Sequence, residues 1–273
     1  MHTVRQPAVA GAFYPGQAGS LASSVAGLLA AARAELSDSV ALPPPKVLIV
    51  PHAGYIYSGP MAARAYAQLD RAHDTIRRVV LLGPVHRVPV RGLALPGSEA
   101  FATPLGEIDI DQEAVAALQP LRQVVVSVAA HALEHSLEVQ LPFLQSVLGP
   151  FKLLPLAVGD ASPGEVAQVL ETLWGGPETL IVISSDLSHY LPYRAAQNID
   201  GETVERILTL EGPLTHEQAC GGTPINGLLI AARRHHLQPQ LLGLCNSGDT
   251  AGDKQRVVGY AAITFTEPAH VTH

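Results

Sequence analysis

Residues 46–55 read Lys46-Val-Leu-Ile-Val-Pro-His-Ala-Gly-Tyr55. The run that ends at Val50 is apolar without alternation, the pattern of a strand buried on both faces. It leads directly into a turn that carries His52. The same arrangement occurs twice more. Val79–Leu82 is followed by Gly83-Pro84-Val85-His86-Arg87, and Leu180–Ile183 by Ser184-Ser185-Asp186-Leu187-Ser188-His189-Tyr190. Weaker strand patterns lie at 124–128, 153–158, 241–244 and 257–265. Helical spacing is found over 21–36, 61–69, 111–118, 134–147, 164–173, 193–210 and 224–235. Strands alternating with helices predict an α/β fold: one domain with a central mixed, largely parallel β-sheet flanked by helices. No internal repeat or linker divides residues 1–273, and the core is expected over about residues 5–266. Ala41-Leu-Pro-Pro-Pro-Lys46 ends the first helical unit, because three prolines stop a helix. The last seven residues, 267–273, are expected to be loose.

Composition narrows the function. Apolar residues make up 47% and charged residues 15%, which is globular rather than disordered. The net charge is −7 and no long basic run exists, so nucleic acid is a poor partner. The one basic knot, Arg233-Arg234-His235-His236, falls at a predicted helix end, where cations favour the dipole. No apolar stretch reaches membrane-spanning length. The N-terminal residues lack a signal-type apolar segment, and two cysteines make no disulfide framework. Together these features point to the cytoplasm. Twelve histidines stand out, since imidazole is the commonest metal ligand and proton shuttle near neutral pH.

Ligands of open α/β sheets bind outside the carboxyl ends of the strands. If the three best strands are parallel neighbours, His52, His86 and His189 converge on one site. Cys220 in Ala219-Cys220-Gly221-Gly222-Thr223-Pro224-Ile225 precedes a predicted helix start, with Thr223 as N-cap and Pro224 first. The dipole there favours a thiolate, which binds metal or attacks as a nucleophile. Asp186 and His189 share one turn, as an acid–base dyad or as an imidazole oriented by a carboxylate. Asp249 and Asp253 sit in a glycine-rich turn whose spacing fits neither an EF-hand nor a P-loop.

Seven blocks together resemble one family: "PAVAGAFYPG", "PHAGYIYSG", "LLGPVHR", "EHSLEVQLPFL", "SSDLSHY", "ACGGTPI" and "NSGD…VVGYAA". In order, from about Arg5 to Phe265, they are similar to the Memo-like family, whose prokaryotic members are called AmmeMemoRadiSam system protein B. The resemblance implies a fold similar to class III extradiol ring-cleavage dioxygenases, which hold non-haem Fe(II) with two histidines and a glutamate. It implies His52 and His86 as imidazole ligands, His189 as the acid–base residue, and Cys220 in the place of the carboxylate; Asp186, read from its own turn, would tune His189. A thiolate is softer than a carboxylate and suits Cu and Zn as well as iron. It is also oxidisable. Two functions follow from the likeness. One is a metal-dependent oxidoreductase on a small oxygenated or aromatic substrate. The other is a non-enzymatic iron- or copper-binding or adaptor protein. AMMECR1-like and radical SAM proteins are the implied partners. A third class, from the residues alone, is a hydrolase with Cys220 and His189 as nucleophile and base.

His131-Ala-Leu-Glu134-His135 matches the inverted zinc-peptidase pattern H-x-x-E-H. Pro142 argues against one continuous helix across this stretch. Leu133, Leu137, Leu141 and Leu144 form a stripe that wants a core. The reading preferred here gives Glu134 and His135, together with Tyr55, the task of bonding a ligating imidazole or touching substrate.

Overall fold

The computed structural model describes residues 2–36 and 43–268. Most of the 267–273 tail and the first two residues of the proline connector lie outside them. In chain order, β1 (Val4–Arg5), α1 (Ala18–Leu36), β2 (Val47–Val50), α2 (Tyr55–Tyr66) and β3 (Arg78–Pro84) come first. Then follow β4 (Leu93–Leu95), β5 (Ala100–Thr103), β6 (Gly106–Asp109), α3 (Gln112–Leu118), β7 (Val124–Val126), α4 (Val128–Ala132) and α5 (Leu141–Val147). The second half contributes β8 (Lys152–Val158), α6 (Pro163–Thr172), β9 (Thr179–Ser184), β10 (His189–Leu191), α7 (Tyr193–Leu208), α8 (Gly222–Arg234), β11 (Gln238–Asn246) and β12 (Val257–Thr266).

Nine strands form one sheet in the order β10-β12-β2-β9-β3-β8-β4-β7, with β11 on β12; β1, β5 and β6 form a small second sheet. The four middle strands β2, β9, β3 and β8 are mutually parallel. β12 runs antiparallel to β2, and β4 antiparallel to β8. The sheet is therefore mixed with a parallel centre, and the three strands that end in histidine-bearing turns are adjacent.

Continuous apolar runs are required because both faces are covered. Leu48, Val50, Val79, Leu81, Leu180 and Val182 pack into one core with α2 and α5. Val47, Ile49, Val80, Leu82, Ile181 and Ile183 pack into the other with α6 and α8. The period-2 pleat assigns alternate residues to opposite cores. Truncating one of these fully buried side chains to alanine costs about 2–5 kcal/mol.

Two expectations change. The helix expected over 134–147 is broken: α4 ends at Ala132, a 3₁₀ turn covers Glu138–Gln140, and α5 begins at Leu141. Pro142 lies in the first turn of α5, where its missing N–H costs nothing. At α8 the cap is Gly221 rather than Thr223, so the helix starts two residues earlier. The short strands β1, β4, β5, β6 and β10 gave no pattern long enough to read. Arg233 and Arg234 do lie in the last turn of α8.

Candidate metal centre and its cavity

The site is built where β2, β9 and β3 end. Pro51 closes β2 and Gly54 caps α2, leaving His52 in the turn between them. Ser185 N–H donates to Val50 O at 2.9 Å, which ties the turn after β9 to the end of β2. His86 stands two residues past the end of β3. Cys220 precedes α8, and its loop rests on the β9 turn: Cys220 N–H donates to Asp186 O at 3.2 Å, and Gly221 N–H to Ser185 Oγ at 2.9 Å. A Cβ at Gly221 would stand 2.6 Å from Ser185 Cβ, so only glycine permits this approach.

Hydrogen bonds fix the tautomer of each imidazole. Ser184 Oγ donates to Ser136 O at 2.6 Å and accepts from Gln140 Nε2 at 2.8 Å. Its proton is committed to a carbonyl, so the 2.9 Å contact with His52 Nδ1 has the ring as donor. His86 Nδ1 lies 2.9 Å from Glu134 Oε1, and a carboxylate accepts. Both rings thus carry hydrogen on Nδ1 and present a bare Nε2. His52 Nε2 stands 3.3 Å from Cys220 Sγ. The ligand atoms of His52, His86 and Cys220 all fall within 4.8 Å of one another. Tetrahedral bonds of ~2.0 Å to nitrogen and ~2.3 Å to sulfur place such atoms about 3.5 Å apart. The three donors fit one metal ion with little adjustment.

Glu134 is the anchor of the second imidazole. Its carboxylate accepts from His86 N at 2.6 Å, His86 Nδ1 and Ser136 N at 2.9 Å. Burial would raise its pKa, but the hydrogen bonds from His86 Nδ1 and the two backbone donors prevail and hold it down to about 2. Ser136 comes this close because the penultimate residue of β3 is Gly83: a Cβ there would meet Ser136 Oγ at 2.8 Å. His135 completes a three-ring cluster, its centroid 4.6 Å from His86 and 5.4 Å from His52. His86, Glu134 and His135 form a second group with metal-ligand spacing. Glu134 Oε1 is already bonded there by His86, so the group reads as support for the first. Burial, and then the neighbouring imidazoles, push His52 well below the usual imidazole range and His135 down to about 4.

His189 begins β10 and lines a cavity of about 920 Å³ with His86 and Cys220. Its Nδ1 donates to Leu187 O at 2.9 Å, leaving Nε2 bare, and burial lowers its pKa. The expected Asp186–His189 dyad is not made. Asp186 turns the other way, accepting from His52 N at 2.7 Å. Burial raises its pKa to about 7 against those backbone donors. The expected lowering of the Cys220 thiol by a helix dipole is reversed: burial, and then the Asp186 charge, raise it. The ring beside the thiol is His52 and not His189, so the structure offers no Cys220–His189 nucleophile pair.

Tyr55 does not line the cavity. Its hydroxyl donates to Val139 O at 2.8 Å and its ring packs on Phe143. It ties the start of α2 to the 3₁₀ turn Glu138–Gln140. The peptidase geometry fails because His131 and His135 share no helix. His131 is buried with Nε2 bonded to Ala94 O at 2.7 Å and its ring edge-on to Phe101. Asp249 accepts from Asn246 N in its own turn and from Tyr193 Oη at the start of α7, and Asp253 accepts from Gln255 N and Arg256 N, so both hold this turn in place.

Sequence reasoning missed the groups that hold the site from behind. Arg5 enters from the N-terminal strand, pairs with the fully buried Glu138, and donates to His131 O and Glu134 O. Glu138 also accepts from Ala8 N, Val9 N and Tyr14 Oη, the last at 2.5 Å. A glutamate inside an apolar run is the visible trace of this network. Ser184 and Gln140 gave no separate signal.

The fold and site define an α/β protein with a pre-oriented two-histidine, one-cysteine group at the carboxyl edge of its sheet. Residues 5–264 match the family described as Memo-like protein, and the chain belongs to that family. A MEMO1 family protein of Methanosarcina barkeri is 36% identical over 279 residues, covering 95% of this chain and 99% of that protein. One from Sulfolobus acidocaldarius is 35% identical over 236 residues, covering 81% of this chain and 82% of that protein. An uncharacterized protein of Escherichia coli, known by crystal structure, shares the fold with a TM-score of 0.52 at 17% identity, over 80% of this chain and 98% of that one. Among the described residues no helix is long and apolar enough to cross a membrane.

Proposed function

We propose that this protein binds a transition-metal ion through His52 Nε2, His86 Nε2 and Cys220 Sγ and acts as a metal-dependent oxidoreductase on a small oxygenated or aromatic molecule. One observation carries the reading: both imidazoles are held with bare Nε2 atoms, and the ligand atoms of His52, His86 and Cys220 cluster within 4.8 Å of one another beside a roomy cavity. A three-ligand set leaves coordination positions open, as reactive metal sites require. The family resemblance favours Fe(II), and the same donors suit Cu and Zn. When bound, the ion supplies Lewis acidity and a place for substrate oxygen.

The chain's own residues divide the remaining work. Glu134 and Ser184 hold the ligand tautomers. His189 offers a neutral, bare Nε2 to the cavity and accepts a proton from substrate there. Asp186 acts through the His52 backbone, which it fixes in place. Oxygen consumption by the metal-loaded protein with a panel of catechols tests the reading. Substrate-dependent uptake that is lost in His189→Ala supports it, and no uptake with any catechol counts against turnover.

The soft thiolate favours a second reading, a non-enzymatic iron- or copper-binding or adaptor protein. It predicts tight binding of reduced metal without oxygen uptake. Under either reading we place the protein in the cytoplasm, with AMMECR1-like and radical SAM proteins as partners. Co-purification of tagged protein with either one tests that assignment.

A further inference from the structure

The carboxylate expected beside His189 is Asp186, which turns to His52 instead. The ring has a different carboxylate behind it. His189 Nδ1 donates to Leu187 O at 2.9 Å. The peptide group that carries this carbonyl has Ser188 N–H at its other end, and that N–H donates to Asp200 Oδ1 at 2.9 Å. In a trans peptide the C=O and N–H point in opposite directions. The two bonds therefore form one chain, from the imidazole through the Leu187–Ser188 peptide to a carboxylate on α7.

The rest of the turn holds this peptide in place. Leu187 N–H donates to Gly259 O at 2.8 Å and Gly259 N–H to Ser188 O at 2.9 Å, so β12 grips the turn on both sides. The seat of the carboxylate is equally specific. Asp200 is 2% exposed, and a Cβ at Gly259 would stand 2.0 Å from its Oδ2. α7 packs on β11 and β12, which carry no charged side chain; their titratable groups are Cys245 and Tyr260. One turn away on α7 itself stand Ala196, Gln197, Thr203 and Val204, all uncharged, and the turn below adds Asp186 and His189. Among the described residues no cation pairs with Asp200; burial raises its pKa, and hydrogen bonding from Ser188 opposes the rise. A buried carboxylate without a cation is costly, so stability alone does not call for one.

We propose that Asp200 is a positioning residue for His189: acting through the Leu187–Ser188 peptide, it holds the ring as the Nδ1–H tautomer and strengthens the bare Nε2 as a proton acceptor. Hydrogen bonds in series polarise one another, by roughly 10–30% per bond. A bond to an ionised group is about twice as strong as a neutral one. Asp200 therefore does at one remove what a directly bonded carboxylate does for an imidazole. The inference rests on the oxidoreductase reading for the use made of the proton, while the chain of bonds needs no metal.

Imidazole nitrogen NMR of the full chain, Asp200→Asn beside wild type, is the test. The His189 signals are identified by their loss in His189→Gln. Asparagine keeps an acceptor for Ser188 N–H and removes the charge. It should lower the His189 pKa by about 0.5, roughly threefold in proton affinity, and shift the Nδ1–H proton upfield. His86, Cys220, Asp160, Glu202, His216 and Glu217 line the same cavity and are common to both proteins, so they cancel in the difference. A purely structural Asp200 would lower Tm and leave both signals where they are, which overturns the inference. Wild type alone gives a second measurement that survives a variant unable to fold. Its Ser188 amide proton should move downfield as His189 gains a proton, and a Ser188 signal that ignores the His189 titration also overturns the inference. Oxygen uptake with catechols, measured separately, tests the oxidoreductase reading. Coupled signals without uptake leave this inference standing and count against turnover. Uptake without coupling does the reverse.

Discussion

Replacing Ser184 by alanine removes one oxygen and should have two separable effects. The hydroxyl is fully buried and makes three hydrogen bonds, to Ser136 O, Gln140 Nε2 and His52 Nδ1. Each loss costs about 1 kcal/mol, for a total of about 3 kcal/mol. A chain of this length has an unfolding entropy near ~0.6 kcal/mol/K, so Tm should fall by about 5 °C. The second effect is on the metal. Without an acceptor at Nδ1, His52 is free to carry its proton on Nε2, the atom that must bind the ion. Loss of such a supporting partner typically weakens metal affinity roughly 10–100-fold. Chelator competition under argon reads the affinity, and nitrogen NMR of the imidazoles reads the tautomer. Tyr55→Phe is the control, because it strips an equally buried bond from Val139 O without touching a ligand. It should lower Tm and leave affinity unchanged. If Ser184→Ala binds metal within twofold of wild type, the tautomer argument is wrong.

Two further outcomes follow from the network behind the site. Glu138→Ala leaves Arg5 buried without its partner and should cost about 3–5 kcal/mol, seen as a lower midpoint in urea unfolding. A change below about 1 kcal/mol would mean that the pair contributes little. Glu134 has a folded pKa depressed to about 2, so its contribution is present above the ordinary glutamate range and is lost as pH falls toward 2. Metal-free wild type should lose stability from roughly pH 4.5 to 2, and Glu134→Gln should show a flatter profile over that window. Identical profiles would contradict the assigned role of the His86 and backbone donors.

The central sheet was legible because its parallel strands are buried on both faces and so are written as unbroken apolar runs, as in 47–50 and 180–183. Adjacent strand ends explain why His52, His86 and His189 could be grouped before any distance was known. What was not legible depends on contacts distant in sequence. Arg5 meets Glu138 across the fold, and Asp186 chose the His52 backbone over a histidine three residues away. Proximity along the chain overstated the Asp186–His189 pair, and it also overstated the H-x-x-E-H pattern, whose helix stops between its two histidines. The position of Cys220 near a helix start suggested a thiolate, but burial has the larger effect on the free thiol. The short strands β4, β5, β6 and β10 are specified by partners rather than by local pattern.

The most direct test of the metal centre is elemental analysis of protein purified without oxygen, wild type beside Cys220→Ser. Three pre-oriented donors predict near-stoichiometric iron or copper in wild type and a large loss when the sulfur is replaced. Equal metal in the two proteins would mean that Cys220 is no ligand. No metal in either would contradict the account of this site.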